Sequence, residues 1–148
     1  MGPHIQFLLA GTGPLSRAVD ERIAESSMAG QFHVLGFRDD IPVVLKACDL
    51  VVSLAQMEGF GLGVLEAMAV GTPCVAYSVG GITELLLQPL LIPVNNLDAL
   101  AEKCQWVLNL SGTERISLQQ ALQTRAQQFD LTVMMDKLQA VYTQVLAR

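Results

Sequence analysis

The sequence is poor in charged residues, in aromatic residues and in basic clusters. Of its 148 residues, 16% are charged, 5% are aromatic and 51% are hydrophobic, and no run of Lys or Arg occurs. Because nucleic-acid backbones are bound through clusters of Lys and Arg, the net charge of −5 argues against a nucleic-acid partner. The apolar composition is typical of a dense α/β interior, in which parallel strands are covered on both faces.

Long apolar runs are also missing, since no stretch reaches the about 20 residues that cross a bilayer. The first residues, MGPHIQFLLAGTGP, predict a strand and a glycine turn where a secretory signal needs a charged flank and a cleavage site. We therefore expect a cytoplasmic protein, and peripheral membrane attachment stays open for a longer parent protein.

The cysteines and histidines form no ligand pattern. Cys48, Cys74 and Cys104 are odd in number, contain no CxxC motif and have no histidine at metal-ligand spacing. This pattern is typical of small core residues in a reducing compartment, and it predicts neither a disulfide nor a metal site. His4 and His33 stand alone beside strand-like segments, and we expect both to be structural.

What the sequence does contain is a strand, helix, strand unit around the stretch Ser53–Tyr77. Apolar runs at 50–54 and 73–77 predict the strands, and the helix between them is expected to end at Gly71. The loop before the helix holds three glycines, Gly59, Gly61 and Gly63. Glycines let a ligand approach main-chain amides closely, and amides at a helix N-terminus attract phosphate.

Two glutamates flank this loop and helix. Seven residues separate Glu58 from Glu66, which lies inside the otherwise apolar GVLEAMAVG. We expect that helix to be largely buried and Glu66 to face a polar cleft, because a buried carboxylate needs partners. Carboxylates accept hydrogen bonds from hydroxyls and amides donate to phosphate, so a sugar nucleotide would suit this layout. An ordinary buried helix with an unrelated glutamate is the alternative.

The run EGFGLGVLEAMAVGTPCVA closely resembles the signature of the retaining, nucleotide-sugar-dependent glycosyltransferases of group 1 (family 4), which adopt the GT-B fold. The resemblance implies that Glu58 contacts the donor sugar as the catalytic-site carboxylate and that Glu66 contacts the ribose. It also implies that the donor sugar and diphosphate lie against the loop residues Gly59, Phe60, Gly61 and Leu62. The family needs no metal ion, and no cofactor besides this donor.

Near the start of the chain, a strand is predicted at Ile5–Ala10, followed by a GxGP turn and a helix. The turn is similar to one in the family, which implies donor contacts at Gly11 and Gly13. The alternative is an NAD-type dinucleotide-binding domain, because GxG after a strand is half of that fingerprint. In that alternative Ser16 stands where the third glycine belongs, and Asp39 would be the ribose-binding acid.

The next strand is predicted at Phe32–Phe37. By resemblance, the main chain at Phe37 and Arg38 forms the pocket for the nucleotide base; a packed Phe and a solvated Arg are the alternative. Asp39 and Asp40 are expected to cap the following helix. Adjacent acids at a helix start point in different directions, so we expect no metal there.

A glycine pair, Gly80 and Gly81, follows the strand that ends at Tyr77. Family members carry Gly-Gly, two residues and Glu at this place, which implies that the pair and Glu84 line the donor cleft. Glu84 is alternatively a helix-start acid. Further on, apolar residues at helix spacing predict three helices, and those of the last, from Leu131 to Val145, are expected to fill the core.

For the whole chain we expect one domain, residues 1–148, with a Rossmann-like parallel sheet of about five strands and helices on both faces. The resemblance identifies it as the C-terminal half of a GT-B fold, without the acceptor-binding N-terminal domain and without the opening strand of its own sheet. The strand Ile5–Ala10 must then pair with Val51 and Val52, or leave a gap that another chain fills by self-association.

The expected function is to bind a nucleoside-diphosphate sugar for retaining transfer of the sugar to an acceptor. The isolated chain is expected to be inactive without the N-terminal domain. A non-catalytic nucleotide-binding module is the alternative.

Overall fold

The structure is a computed structural model that describes residues 5–147, so His4 lies outside the described part. The chain forms two compact units, Met1–Ile41 and Pro42–Arg148. The grouping of residues 1–148 into one domain stays a prediction.

The first unit is a strand, helix, strand motif. Its elements are β1 (Phe7–Ala10), α1 (Ser16–Ala24), a 3₁₀ turn (Ala29–Gln31) and β2 (Phe32–Gly36). The two strands run parallel with Phe7 opposite Phe32, and the rings of this pair stack with centroids 4.6 Å apart. Both strands predicted in this part of the sequence are therefore present.

The second unit is built on a three-stranded parallel sheet in the order β3-β4-β5. From the boundary onward the elements are α2 (Ile41–Lys46), β3 (Val51–Ser53), α3 (Leu62–Val70), β4 (Cys74–Tyr77), α4 (Ile82–Leu85), a 3₁₀ turn (Gln88–Leu90), β5 (Leu91–Ile92), α5 (Leu97–Leu108), α6 (Gly112–Gln127) and α7 (Leu131–Leu146). All four residues of β4 are buried, and both α3 and α5 contact this strand. Helices therefore cover the central strand on both faces, as in other parallel sheets.

The α/β class with parallel strands is confirmed, but the expected single sheet of about five strands is wrong. The five strands are divided between a two-stranded and a three-stranded sheet. β1 pairs with β2, whereas Val51 and Val52 of β3 pair with Cys74 and Val75 of β4.

The core of the second unit lies between α3, α6 and the sheet. Its largest fully buried side chains are Met68, Ile82, Leu85, Leu90, Leu122, Val75 and Val107. Helix α3 ends as predicted at Gly71, which takes the left-handed conformation at φ 80° and donates to the Ala67 and Met68 carbonyls. This glycine C-cap provides a hydrogen-bond donor for carbonyls of the last turn, which have no partner within the helix.

The prediction that α7 fills the core is wrong, because none of its residues is buried. Asp130 caps it, accepting from the Thr132 amide at 2.8 Å. Helical spacing of apolar residues predicts a helix with an apolar side, but it does not say what covers that side. No helix within residues 5–147 combines the length and apolar character needed to cross a membrane.

Candidate functional site

The loop between β3 and α3 is organised by the carboxylate of Glu58. Its Oε1 accepts hydrogen bonds from the Phe60 amide at 3.3 Å and from the Gly61 amide at 3.1 Å. Gly61 is the N-cap of α3 in a left-handed conformation, φ 98°, and has no side chain with which to cap. The half-buried Glu58 therefore supplies the negative charge that a helix N-terminus favours. We call residues 58–61 the Glu58 loop.

The glycine pair packs directly against the main chain of the Glu58 loop. The Gly81 amide donates to the Glu58 carbonyl at 3.3 Å. A Cβ on Gly81 would lie 2.5 Å from the Gly59 carbonyl oxygen, which is closer than real Cβ atoms come. The contact seen for Gly80 and Gly81 is thus with the loop itself, and their contact with a donor stays a prediction.

The prediction that Glu66 is a buried carboxylate with polar partners is wrong, because Glu66 is exposed. Helix α3 buries Val64, Ala67 and Met68. At about 100° per residue, position 66 falls on the side opposite Val64 and Met68. Glu66 shares its exposed side with Leu62, which lies one turn earlier. An exposed carboxylate can bind a ligand. Because Glu66 is not buried, however, its burial is no longer evidence that it has a polar partner.

Two residues that the sequence analysis did not single out also contact this region. The Phe129 ring packs edge-on against the Phe60 ring, with centroids 6.0 Å apart. The Arg125 guanidinium lies over Phe129, 5.1 Å from the ring centroid. Both follow the loop by more than 60 residues, and no local motif marks them.

In the first unit the two glycines after β1 serve the turn. The Gly11 amide donates to the Gly36 carbonyl at 2.7 Å, and Gly11 has φ 126°. The Gly13 amide donates to Ser16 Oγ at 2.9 Å. These bonds give both glycines a structural role at the carboxyl ends of β1 and β2, and their donor contacts stay a prediction.

Arg38 forms a two-pronged ion pair with Asp40. Its Nε and Nη2 donate to the two carboxylate oxygens at 2.7 and 2.6 Å. These bonds hold the pKa of the Asp40 carboxyl below its usual value. The capping of α2 by Asp39 and Asp40 stays a prediction, since a carboxylate paired with a guanidinium keeps lone pairs for an amide. Phe37 is 79% exposed, so the packed alternative for this residue is wrong.

Comparison with known proteins distinguishes between the two kinds of nucleotide-binding domain that the sequence suggested. The family model "Glycosyl transferases group 1" matches residues 1–129. The chain belongs to the group 1 glycosyltransferase family. The resemblance of residues 58–76 to group 1 glycosyltransferases is thereby confirmed, and the dinucleotide-binding alternative for the GxG turn is not supported. Retention at the anomeric carbon stays a prediction.

Curated relatives of this group 1 chain include a mannosyltransferase and a glucosaminyl malate synthase. The lipopolysaccharide core biosynthesis mannosyltransferase LpsB of Rhizobium meliloti is 35% identical over 106 residues, covering 68% of this chain and 28% of that protein. The N-acetyl-alpha-D-glucosaminyl L-malate synthase of Bacillus anthracis is 28% identical over 144 residues, covering 95% and 38%. The group 1 chain thus spans well under half the length of these relatives.

Solved structures support the same fold. Anabaena Alr3699/HepE in complex with UDP-glucose superposes with a TM-score of 0.84 at 26% identity, covering 96% of this chain and 42% of that one. Sucrose-phosphate synthase from Thermosynechococcus elongatus gives a TM-score of 0.84 at 27% identity, covering 96% and 39%. The α/β arrangement of the group 1 chain therefore matches glycosyltransferases of the GT-B fold.

Proposed function

We propose that this chain is the donor-binding, C-terminal half of a GT-B glycosyltransferase. It binds a nucleoside-diphosphate sugar, and the parent enzyme transfers the sugar to an acceptor with retention at the anomeric carbon. Family membership supports the proposal, as does the likeness to HepE, which binds UDP-glucose.

The observation that carries the proposal is the fixed position of the Glu58 carboxylate at the N-terminus of α3. Both amide bonds end on Oε1, which leaves Oε2 to accept from sugar hydroxyls. A carboxylate has about four lone-pair sites, so the loop bonds and ligand bonds are compatible. Glu58 would orient the donor sugar at the catalytic site, while the first amides of α3 favour the diphosphate.

The remaining donor contacts follow from the family resemblance. Glu66, on the exposed side of α3, would bind the ribose hydroxyls. In the first unit the main chain at Phe37 and Arg38 would contact the base, and the turn at Gly11 and Gly13 would contact the donor. Because Arg38 is already paired with Asp40, it adds little positive charge for a diphosphate.

We further propose that binding needs no metal ion and that the acceptor site belongs to an N-terminal domain of a cytoplasmic parent. Transfer then depends on amides and cations that stabilise the leaving diphosphate.

Strand edges that lack a partner are templates for pairing with another chain. The edge of β3 away from β4 would support self-association, which light scattering over a range of concentrations tests.

Calorimetric titration of this chain with UDP, GDP, ADP and UDP-glucose tests donor binding. We expect one diphosphate to bind at least about tenfold more tightly than the others, with a dissociation constant toward the millimolar end of the scale. Absence of heat from all four ligands, at protein concentrations near 1 mM, would overturn the proposal and favour a non-catalytic scaffold.

A further inference from the structure

The C-terminal turn of α6 is tied to the end of α4. Arg125 Nε donates to the Leu85 carbonyl at 3.2 Å, and Arg125 Nη2 donates to the Glu84 carbonyl. A third bond, from Nη1 to Gln128 Oε1 at 2.7 Å, fixes the guanidinium from its own helix. One side chain thus reaches two main-chain acceptors about 40 residues away in the sequence.

These acceptors are the last carbonyls of α4, which is four residues long. Carbonyls at a helix end have no partner within the helix, and a positive charge there is favourable. The N-cap at the other end of α4 is Gly81, whose amide donates to the Glu58 carbonyl. Arg125 therefore anchors the far end of the short helix that locks the Glu58 loop in place.

A second route leads from Arg125 to the same loop through aromatic rings. The guanidinium lies over the Phe129 ring, and this ring packs against the Phe60 ring at an interplanar angle of 64°. Phe60 is 41% exposed, and the Phe129 ring is its aromatic neighbour. The Phe60 amide is one of the two donors to Glu58. The two routes converge on the geometry of one carboxylate.

We infer that Arg125 and Phe129 are positioning residues for the donor site. They act through the Glu58 loop, which they hold in the geometry that Glu58 needs to receive a sugar. A preformed loop lowers the ordering cost that binding otherwise carries. The inference rests on the proposed donor function for its consequence, but the positioning itself can be measured without a donor.

Arg115 offers a matched control on the same helix. It also donates to two main-chain carbonyls, those of Asp49 at 3.1 Å and Val107 at 3.2 Å. Its acceptors belong neither to α4 nor to the Glu58 loop. Replacing Arg115 by Ala therefore removes a comparable set of bonds without touching either route.

The test is residue-resolved hydrogen exchange on this chain. We expect Arg125→Ala to speed exchange of the Phe60 and Gly61 amides about tenfold relative to the β4 amides, because local opening becomes easier. Arg115→Ala should leave that ratio unchanged, and Arg125→Lys should restore it in part. Equal ratios in the two alanine variants would overturn the inference.

Phe129→Leu gives a second reading if Arg125→Ala does not fold. It keeps apolar volume but removes the ring edge, and it should raise Gly61 exchange in the same direction; an unchanged rate would count against the inference. Calorimetry with UDP-glucose separates the two proposals. If the wild-type chain binds no donor while the exchange ratios behave as expected, donor binding fails and positioning stands. If the wild type binds, Arg125→Ala should weaken binding severalfold, and equal affinity would overturn the link.

Discussion

The carbonyl oxygen of Glu58 occupies the space where a side chain on Gly80 would begin. A Cβ built on Gly80 would lie 2.0 Å from that oxygen, and Gly80 has φ +43°. Any other residue would therefore bring both left-handed strain and a collision with main chain. Since the Gly81 amide bonds the same carbonyl, this close approach sets the distance between the Glu58 loop and the start of α4.

Replacement of Gly80 by Ala should destabilise the protein by at least about 2 kcal/mol, because the backbone must move to admit the methyl group. The matched control is Gly59→Ala in the Glu58 loop, where nothing lies within 4 Å of a built Cβ. We expect the control to change the free energy of urea-induced unfolding by less than about 1 kcal/mol. A similar loss of unfolding free energy in the two variants would show that the contact between Gly80 and the Glu58 carbonyl does not constrain the residue at position 80.

The Gly80–Gly81 pair could be predicted from the local sequence, but the residues that it contacts could not. The glycine pair was identified by its position after a strand, because family members carry it there. That Gly80 meets the main chain of Glu58 depends on how α4 folds back, which no pattern within either segment encodes. The same holds for Phe129 and Phe60, which are in contact although 68 residues separate them.

Glu66 shows a different limit of sequence reasoning. The apolar run around it predicted a largely buried helix, yet α3 buries only Val64, Ala67 and Met68. Small and apolar residues are compatible with an exposed helix side, so composition did not reveal which side faced the sheet. The strands were predicted nearly in full, but their division into two sheets depends on pairing between distant segments.

Replacement of Gly63 by Ala should stabilise the protein. Gly63 lies inside α3, is exposed and has nothing within 4 Å of a built Cβ. Alanine loses less backbone freedom on folding, so the free energy of unfolding should rise by about 0.5–1 kcal/mol. Urea titration measures this. If a donor approaches the α3 N-terminus closely, the same variant should bind nucleotide severalfold more weakly, whereas unchanged affinity would place the ligand elsewhere.

Replacing Glu58 and replacing Glu66 by Ala should have different effects on stability and on nucleotide binding. Glu58→Ala loses two amide hydrogen bonds and should cost about 1 kcal/mol of unfolding free energy. Exposed Glu66 should tolerate Ala within about 0.5 kcal/mol. Calorimetry with the diphosphate lacking a sugar should show the larger loss of affinity for Glu66→Ala. The opposite order would contradict the assignment of Glu66 to the ribose.

Cys74 should make stability fall at high pH. Its side chain is fully buried on β4, and burial raises the pKa of the thiol to about 12. The folded state therefore keeps the proton while the unfolded chain releases it near pH 8.5. The stability linked to this thiol is fully present below that pH and is lost as pH rises toward 12.

Urea unfolding at pH 8 and pH 10 measures this effect, with Cys74→Ala as the comparison. The wild type should lose roughly 1–2 kcal/mol more than the variant over this range, since each pKa unit corresponds to about 1.4 kcal/mol. Cys48 and Cys104, which are only partly buried, remain in both proteins, so their titration cancels. Equal losses in the two proteins would mean that the Cys74 thiol ionises in the folded state as readily as in the unfolded chain.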